Sequence, residues 1–321
     1  MTATTLLAVP NVSEGRDPDA IARIARAVSR SPGVHLLDVH SDRDHQRSVF
    51  TMSGSPGTLA EAVVSAGAEA VAGVDLASHA GAHPRIGALD IAPIVYLSDE
   101  DAGAACAEAL VLGDRLGDEL GLPVFLYGAL GGGRKRAEIR RGGTEELARR
   151  MATGELRPDF GPPELHPSAG GVLVGARPPL VAFNVELAPP ATVEDARAIA
   201  ADIREGGPAG LPGLRALGLW LGERGVAQVS MNVEDHRAVP LATVVAAIAK
   251  RAVLAGAELV GLAPRAALEG FPADLPFRSS GAIEDALATA NATERTTKLQ
   301  SHGPDQAQAP DQAPGDRRRD D

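Results

Sequence analysis

With a single cysteine, Cys106, the chain can form no intramolecular disulfide, so an oxidising compartment offers its fold nothing and a reduced cytoplasm is the expected setting. Nowhere do about 20 apolar residues run together, which excludes a membrane-spanning helix. The opening MTATTLLAVPNVSEG has neither a basic leader nor a long apolar stretch, so no targeting segment is expected. Positive charge is also in deficit. Against 42 Asp and Glu stand 31 Lys and Arg, a net charge of -11, and lysine occurs only at 135, 250 and 298. Such a chain lacks the broad basic footprint that phosphate backbones and anionic lipid require, so neither nucleic acid nor membrane is an expected partner.

What is present is enough apolar material for a sizeable core, 44% hydrophobic over 321 residues, and the length favours two domains over one. Leu6 to Val9 reads as a strand. Asp17 to Arg30 reads as a helix, with Ile21, Ile24, Ala25 and Val28 on one stripe. Val34 to Val39 and Ser48 to Met52 read as two strands joined by the polar SDRDHQ. Thr58 with Glu61 forms a capping-box pattern ahead of a helix to about Ala72, weakened at Gly67. Ile91 to Leu97, a helix from Asp99 to Leu120 and a strand from Val124 to Tyr127 complete a first half of the form βαββαβαβ. After the Pro-rich RPDFGPPELHPSAGG the order recurs: strand Leu180 to Leu187, helix Val193 to Glu205, strands Leu217 to Leu221 and Ala227 to Val233, helix Leu241 to Ala255, and a closing strand at Leu259 to Leu262. The expected fold class is α+β, with two ferredoxin-like βαββαβ subdomains facing each other across a cleft. The expected boundaries are 1–179, 180–290 and a disordered tail over 291–321, where Thr, Gln, Pro, Asp and Arg dominate.

Two polar loops hold four of the eight histidines. DVHSDRDHQRS supplies Asp38, His40, Asp42, Asp44, His45 and Arg47. SHAGAHPRIGALD supplies His79 and His83, where Gly81, Pro84 and Gly87 break periodicity just before a strand. A lone loop histidine is usually solvated or hydrogen-bonded, and clustering weakens that reading. His79 and His83 have the i, i+4 spacing of zinc ligands, with Asp38 or His40 available to complete a set, although Gly81 and Pro84 oppose a regular helix there. An imidazole held by Asp38 or Asp42 equally suits acid–base catalysis near neutral pH. Spacing leaves both chemistries open. GALGGGRKR at 128–136 resembles a phosphate cradle but lacks the G-K-S/T ending of a P-loop, and reads as a mobile basic loop.

VPNVSEG at 9–15, SHAGAHPRIGALD at 78–90, PDFGPPELHPSAGG at 158–171 and VAQVSMN at 226–232 together resemble glutamate formimidoyltransferase, the transferase portion of formimidoyltransferase-cyclodeaminase. The resemblance runs in register over roughly the first 270 residues and leaves the tail outside. It implies an enzyme that moves the formimino group of N-formimino-L-glutamate to N5 of tetrahydrofolate, in histidine degradation and one-carbon metabolism. Tetrahydrofolate is then a co-substrate, no metal is expected, and the assembly is a cytoplasmic homodimer. By the same resemblance His83 is the acid–base residue, while a folate loop falls on Gly161, Pro162, Pro163, Glu164, Leu165, His166, Pro167, Ser168, Ala169 and Gly170.

Two departures stand out: Leu165 and Ala169 take the place of aromatic residues in that loop, and His40 stands where vertebrate relatives carry a carboxylate. Asp38 and Asp42 are therefore the expected groups for orienting His83. Arg47, Arg85 and Arg177 are candidate forks for the substrates' carboxylates, though each is as well explained by a surface ion pair. The rival readings are a 5-formyltetrahydrofolate cyclo-ligase or formyl-group transferase using the same folate site, a non-catalytic folate-binding protein, and a metal-dependent hydrolase.

Overall fold

A computed structural model describes residues 4–301 apart from 77, 78, 80, 82 and 83, with side chains described as far as 293. The chain opens on a broken strand, β1 (Leu6–Ala8) and β2 (Asn11–Val12), interrupted at Pro10, which has no N–H to give the ladder. α1 (Pro18–Ser29) follows, with Asp17 accepting the Asp19 N–H at 2.9 Å and Pro18 in the first turn. β3 (Val34–Asp42) and β4 (Arg47–Gly54) form a hairpin, α2 (Leu59–Gly73) crosses, and β5 (Leu89–Tyr96) returns to the middle of the sheet. α3 (Ala102–Leu120), β6 (Val124–Leu126), α4 (Arg136–Arg140), α5 (Gly143–Ala152) and β7 (Val172–Arg177) extend this first unit. Its strands run β3, β4, β1/β2, β5, β7, β6; the pairs up to β5 are antiparallel, and β7 and β6 join in parallel.

The second unit comprises β8 (Val181–Leu187), α6 (Val193–Ile203), β9 (Leu214–Leu221), β10 (Val226–Val233), α7 (Leu241–Ala249), β11 (Leu254–Leu259), β12 (Phe277–Arg278) and α8 (Ile283–Ser301). Its strand order is β12, β11, β8, β10, β9, antiparallel except for the short β11–β12 pair. The architecture is therefore α+β, with two mixed helix-and-sheet units as expected. Each unit buries one sheet face under helices. Phe50, Met52 and Ile94 lie in the core beneath α1 to α3, and Phe183, Val229 and Leu259 in the core beneath α6 and α7. The opposite face of the first sheet is divided: α4 and α5 cover its β5–β7–β6 end through Ile139, Leu147 and Met151, while Leu7 and Val95 meet Leu262 and Ile283 of the second unit.

Several expectations need correction. β7, α4 and α5 were not expected, and PDFGPPELHPSAGG is no link between domains but part of the first unit, since β7 follows it and lies between β5 and β6. α7 stops at Ala249, because the chain must turn at once to enter β11 at Leu254, earlier than the expected closing strand. The Thr58 capping box does not form: the Thr58 hydroxyl donates to the Ser55 carbonyl at 2.8 Å. Instead buried Glu108 of α3 accepts the N–H groups of Gly57 and Ala60, at 2.5 and 2.7 Å, at the start of α2. The segment from Asn291 was expected to be disordered, yet α8 continues through it to Ser301, and the rest of the tail lies outside the described residues.

Candidate active site

The AHPRIG segment leads into β5, and its C-terminal half is held from several sides. Ser13 Oγ donates to the Gly87 carbonyl at 2.7 Å, and the Ser13 N–H to that of Ala88 at 2.8 Å. The Ile86 N–H donates to Asp90 at 2.7 Å, and Asp90 is ion-paired with Arg140 of α4. His83 lies outside the described residues. Residues 79, 81, 84 and 85 around it are described. The His79 Nε2–H donates to the Gln46 carbonyl at 3.0 Å and its Nδ1 accepts the Gly81 N–H at 3.1 Å, so both ring nitrogens are occupied. Burial, against that hydrogen bond to Gln46, holds the His79 pKa below its ordinary value. Arg85 donates to the carbonyls of Gly81 and His79 at 3.1 and 2.8 Å; it shapes the loop and does not project as a fork. Among the described residues no group of three His, Cys, Asp or Glu is placed to hold a metal ion.

The loop from Gly161 to Gly170 packs beside this segment. The Leu76 N–H donates to the Ser168 carbonyl at 3.1 Å, that of Ala88 to the Ala169 carbonyl at 2.8 Å, and that of Gly171 to the Ile86 carbonyl at 2.9 Å. Gly170, at φ +69°, sits so close that a Cβ would stand 2.1 Å from the Ile86 carbonyl oxygen, so only glycine fits. Within the loop, His166 and Gly170 exchange backbone hydrogen bonds, and His166 Nδ1 accepts the Ala169 N–H at 3.1 Å. Ala169 and Gly170 are buried and half-buried Leu165 joins the Ile86–Phe125 cluster, whereas Gly161, Pro163, Glu164 and Pro167 are exposed and Pro162 half-buried. Leu165 is thus spent on the core and gives no flat surface to a ring.

Between the units, with Pro84 on its wall, lies a cavity of about 750 Å³. Tyr127, Pro178, Leu180 and Leu217 give it apolar surface. Its cations are Arg134, Lys135, Arg136, Arg140, Arg177, Arg204 and Arg215, against only two carboxylates, Glu205 and Glu234. In a chain of net charge -11 this inverts the prevailing sign. Arg215 bridges both carboxylates, at 2.8 and 3.2 Å, and Arg134 is paired with Asp159 at 2.5 Å. With Arg140 held by Asp90, the cationic surplus falls to Lys135, Arg136, Arg177 and Arg204. A smaller cavity of about 80 Å³ between the two sheets shares Arg136, Arg140 and Arg177 with the larger one and adds Arg47. Burial pushes the Arg47 guanidinium down to about 10, despite the pull of Asp90. The buried Nε atoms of Arg140 and Arg177 have no hydrogen-bond partner among the described residues. Together these features describe a site for anions carried on a partly apolar body.

Of the sequence candidates, Arg47 and Arg177 reach this region and Arg85 serves the loop. Asp42 is engaged by Arg224 and by the His45 N–H at 2.7 Å, and so is already committed. Asp38, its pKa raised by burial, lies beside Ser280 and His40, and the His40 ring is 3.9 Å from Glu258. The basic loop at 128–136 was passed over, yet it supplies Arg134, Lys135 and Arg136; three cations directly after a glycine turn at a strand end were the available signal.

Family models divide the chain where the structure does. The N-terminal subdomain of the formiminotransferase domain matches residues 5–177, and the following formiminotransferase domain matches 182–271, meeting between β7 and β8. The chain belongs to the formiminotransferase family. Glutamate formimidoyltransferase of Streptococcus pyogenes serotype M1 is 36% identical over 268 residues, covering 81% of this chain and 89% of that protein. The protein of the same name from Thermoplasma acidophilum is 34% identical over 270 residues, covering 81% and 88%. Formimidoyltransferase-cyclodeaminase of Sus scrofa is 39% identical over 275 residues, covering 81% of this chain but 50% of its own length. This formiminotransferase chain thus spans about half the length of the cyclodeaminase relatives.

Proposed function

We propose that this protein is a glutamate formimidoyltransferase, moving the formimino group from N-formimino-L-glutamate to N5 of tetrahydrofolate. The observation that carries the reading is the cation-rich cavity at the unit boundary, with Pro84, next in sequence to His83, on its wall. Formimino-glutamate brings two carboxylates and the folate tail brings more, while the benzoyl ring is flat and largely apolar and the pterin offers a ring face with a hydrogen-bonding edge. Guanidinium forks beside apolar side chains match that combination. The relatives matched over nearly their whole length carry this activity in their names.

In this reading N5 attacks the formimino carbon to give a tetrahedral intermediate, and its collapse expels the glutamate nitrogen. One proton leaves N5 and one reaches the departing nitrogen. His83 does both in turn, first as base and then as acid, a contribution of roughly 100- to 10,000-fold. Holding two polyanions in one cation-lined cleft supplies orientation. The products are 5-formimino-tetrahydrofolate and L-glutamate. Gly161 to Gly170 is assigned to folate by the family resemblance, and its packing on the residues just after position 83 supports that assignment. Strand orders β11-β8-β10-β9 and β5-β1/β2-β4-β3 support two ferredoxin-like units. A cytoplasmic homodimer completes the reading, and no helix among the described residues is long and apolar enough to cross a membrane.

The test is transfer by purified protein, followed as methenyl-tetrahydrofolate after acid treatment; in parallel 5-formyl-tetrahydrofolate is offered with ATP and its methenyl product is read directly, without acid, because acid alone cyclises the formyl compound. Turnover of formimino-glutamate supports the assignment; turnover of only the formyl compound would replace it with a cyclo-ligase.

A further inference from the structure

Each unit carries one tight hairpin: residues 43–46 join β3 to β4, and residues 222–225 join β9 to β10. The two turns meet. Arg224 reaches across from the second unit, its Nε donating to Asp44 at 3.2 Å and its Nη2 ion-paired with Asp42. Its Nη1 stays within its own unit, donating to Glu186 at 2.8 Å. The Glu223 N–H donates to Asp44 at 2.7 Å, and buried His45 meets buried Gln228 at 2.9 Å. The carboxylates that Arg224 grips also shape the first turn, since Asp42 accepts the His45 N–H at 2.7 Å.

That turn ends at Gln46, whose φ of +47° is the one positive value among the described non-glycine residues. A residue held there needs its surroundings to impose the conformation. The Gln46 carbonyl is the acceptor for His79, and Gly81 approaches so closely that a Cβ would lie 2.4 Å from the His45 carbonyl oxygen. The turn is therefore the seat on which residues 79 and 81 rest, with Arg85 tying their carbonyls together from the other side. Arg224 does not line the cation-rich cavity.

We propose that Arg224 is a positioning residue: from the second unit it fixes turn 43–46, and through Gln46, His79 and Gly81 it sets the place of the loop carrying His83. Docking of the two units and assembly of the catalytic loop are then one event. The kinetic arm of its test rests on the formimino-transfer reading; the structural arm does not.

Arg224→Ala should lower kcat by about 10- to 100-fold, the effect of displacing a reacting group by roughly an ångström, with KM within about threefold. Millimolar guanidinium, which can reoccupy the gap between Asp42 and Asp44, should restore part of it. Combined with His79→Ala, the loss should not multiply, because both changes break one chain of contacts. By NMR, the Gly81 amide should exchange faster in Arg224→Ala and slow again with guanidinium. If that variant fails to fold, Asp44→Asn takes its place in the kinetic, double-variant and exchange measurements, without guanidinium. Unchanged kcat in the folded variant, unchanged Gly81 exchange, or fully multiplicative losses would overturn the proposal. Faster Gly81 exchange in Arg224→Ala, beside a parent that transfers no formimino group, would keep the clamp and remove the assigned function.

Discussion

Replacing Arg136 by methionine should weaken anion binding while leaving the empty protein about as stable as before. In the empty protein Arg136 has little to lose. Its Nη2 is 3.8 Å from Glu234, whose side chain is 40% exposed, a pair worth at most a few tenths of a kcal/mol. Its guanidinium carbon lies 5.8 Å from the Tyr127 ring centre, adding about 0.5–1 kcal/mol. Burial first, with Arg177 and Arg140 also repelling, holds its pKa below the usual guanidinium value, against Tyr127 and Glu234. Removing the charge relieves that cost, and methionine keeps the apolar stem, so the unfolding free energy should stay within about 1 kcal/mol. A bound carboxylate, by contrast, loses a charge-assisted hydrogen bond worth about 1.5–3 kcal/mol. That corresponds to about 10- to 150-fold in affinity for whichever substrate the fork holds. Calorimetric titration with N-formimino-L-glutamate and tetrahydrofolate, beside urea unfolding, checks both halves. Affinities changed by less than about threefold for both ligands would refute the reasoning, because a fork worth about 1.5 kcal/mol cannot vanish unnoticed. So would a collapse in stability.

Glu108→Ala should destabilise the fold by about 3 kcal/mol and Glu108→Gln by about half that, because the carboxylate is the acceptor for two N–H groups at the start of α2, as urea midpoints will show. Acid should weaken the fold through its buried histidines. Burial holds the pKa of His45 and of His40 below the ordinary 6.5, so the unfolded chain binds their protons first. Their contribution is fully present above about 6.5 and is lost as pH falls toward the folded values, at up to about 1.4 kcal/mol per pH unit for each histidine. Asp38, raised by burial, acts in the opposite sense nearer the carboxylate range. Melting temperatures between about pH 7.5 and 5.5 should therefore fall, and fall less steeply in His45→Gln; a flat profile would contradict the assignment.

Local pattern carried much of the fold. The apolar stripe of α1, the apolar runs of β3 and β4 on either side of a polar turn, and the repeated strand–helix–strand order were legible because each carries its signal locally. β7 was missed because GVLVGAR follows a Pro- and Gly-rich stretch and was absorbed into it, although buried Val172, Leu173 and Val174 put it inside the sheet. α4 and α5 were missed because they are rich in arginine and glutamate and bury only a narrow stripe, Ile139, Leu147 and Met151. At α2 the local capping signal was real but lost to Glu108, some 50 residues away in sequence, because a buried carboxylate satisfies more of the helix start than Thr58 can. The cation-rich cavity was illegible for a related reason: residues 134–140, 177 and 204–215 are ordinary charged positions in sequence, and only the meeting of the two units makes them a site. Position 83 was picked out by the AHPRIG motif and its resemblance, since spacing alone left metal and acid–base chemistry equal.

The most direct test measures formimino transfer to tetrahydrofolate by the parent and by His83→Ala, each shown folded by its thermal transition. The account predicts turnover in the parent and a loss of roughly 100- to 10,000-fold in the variant, with binding of both substrates retained. A folded His83→Ala protein that turns over at the parent's rate would contradict it.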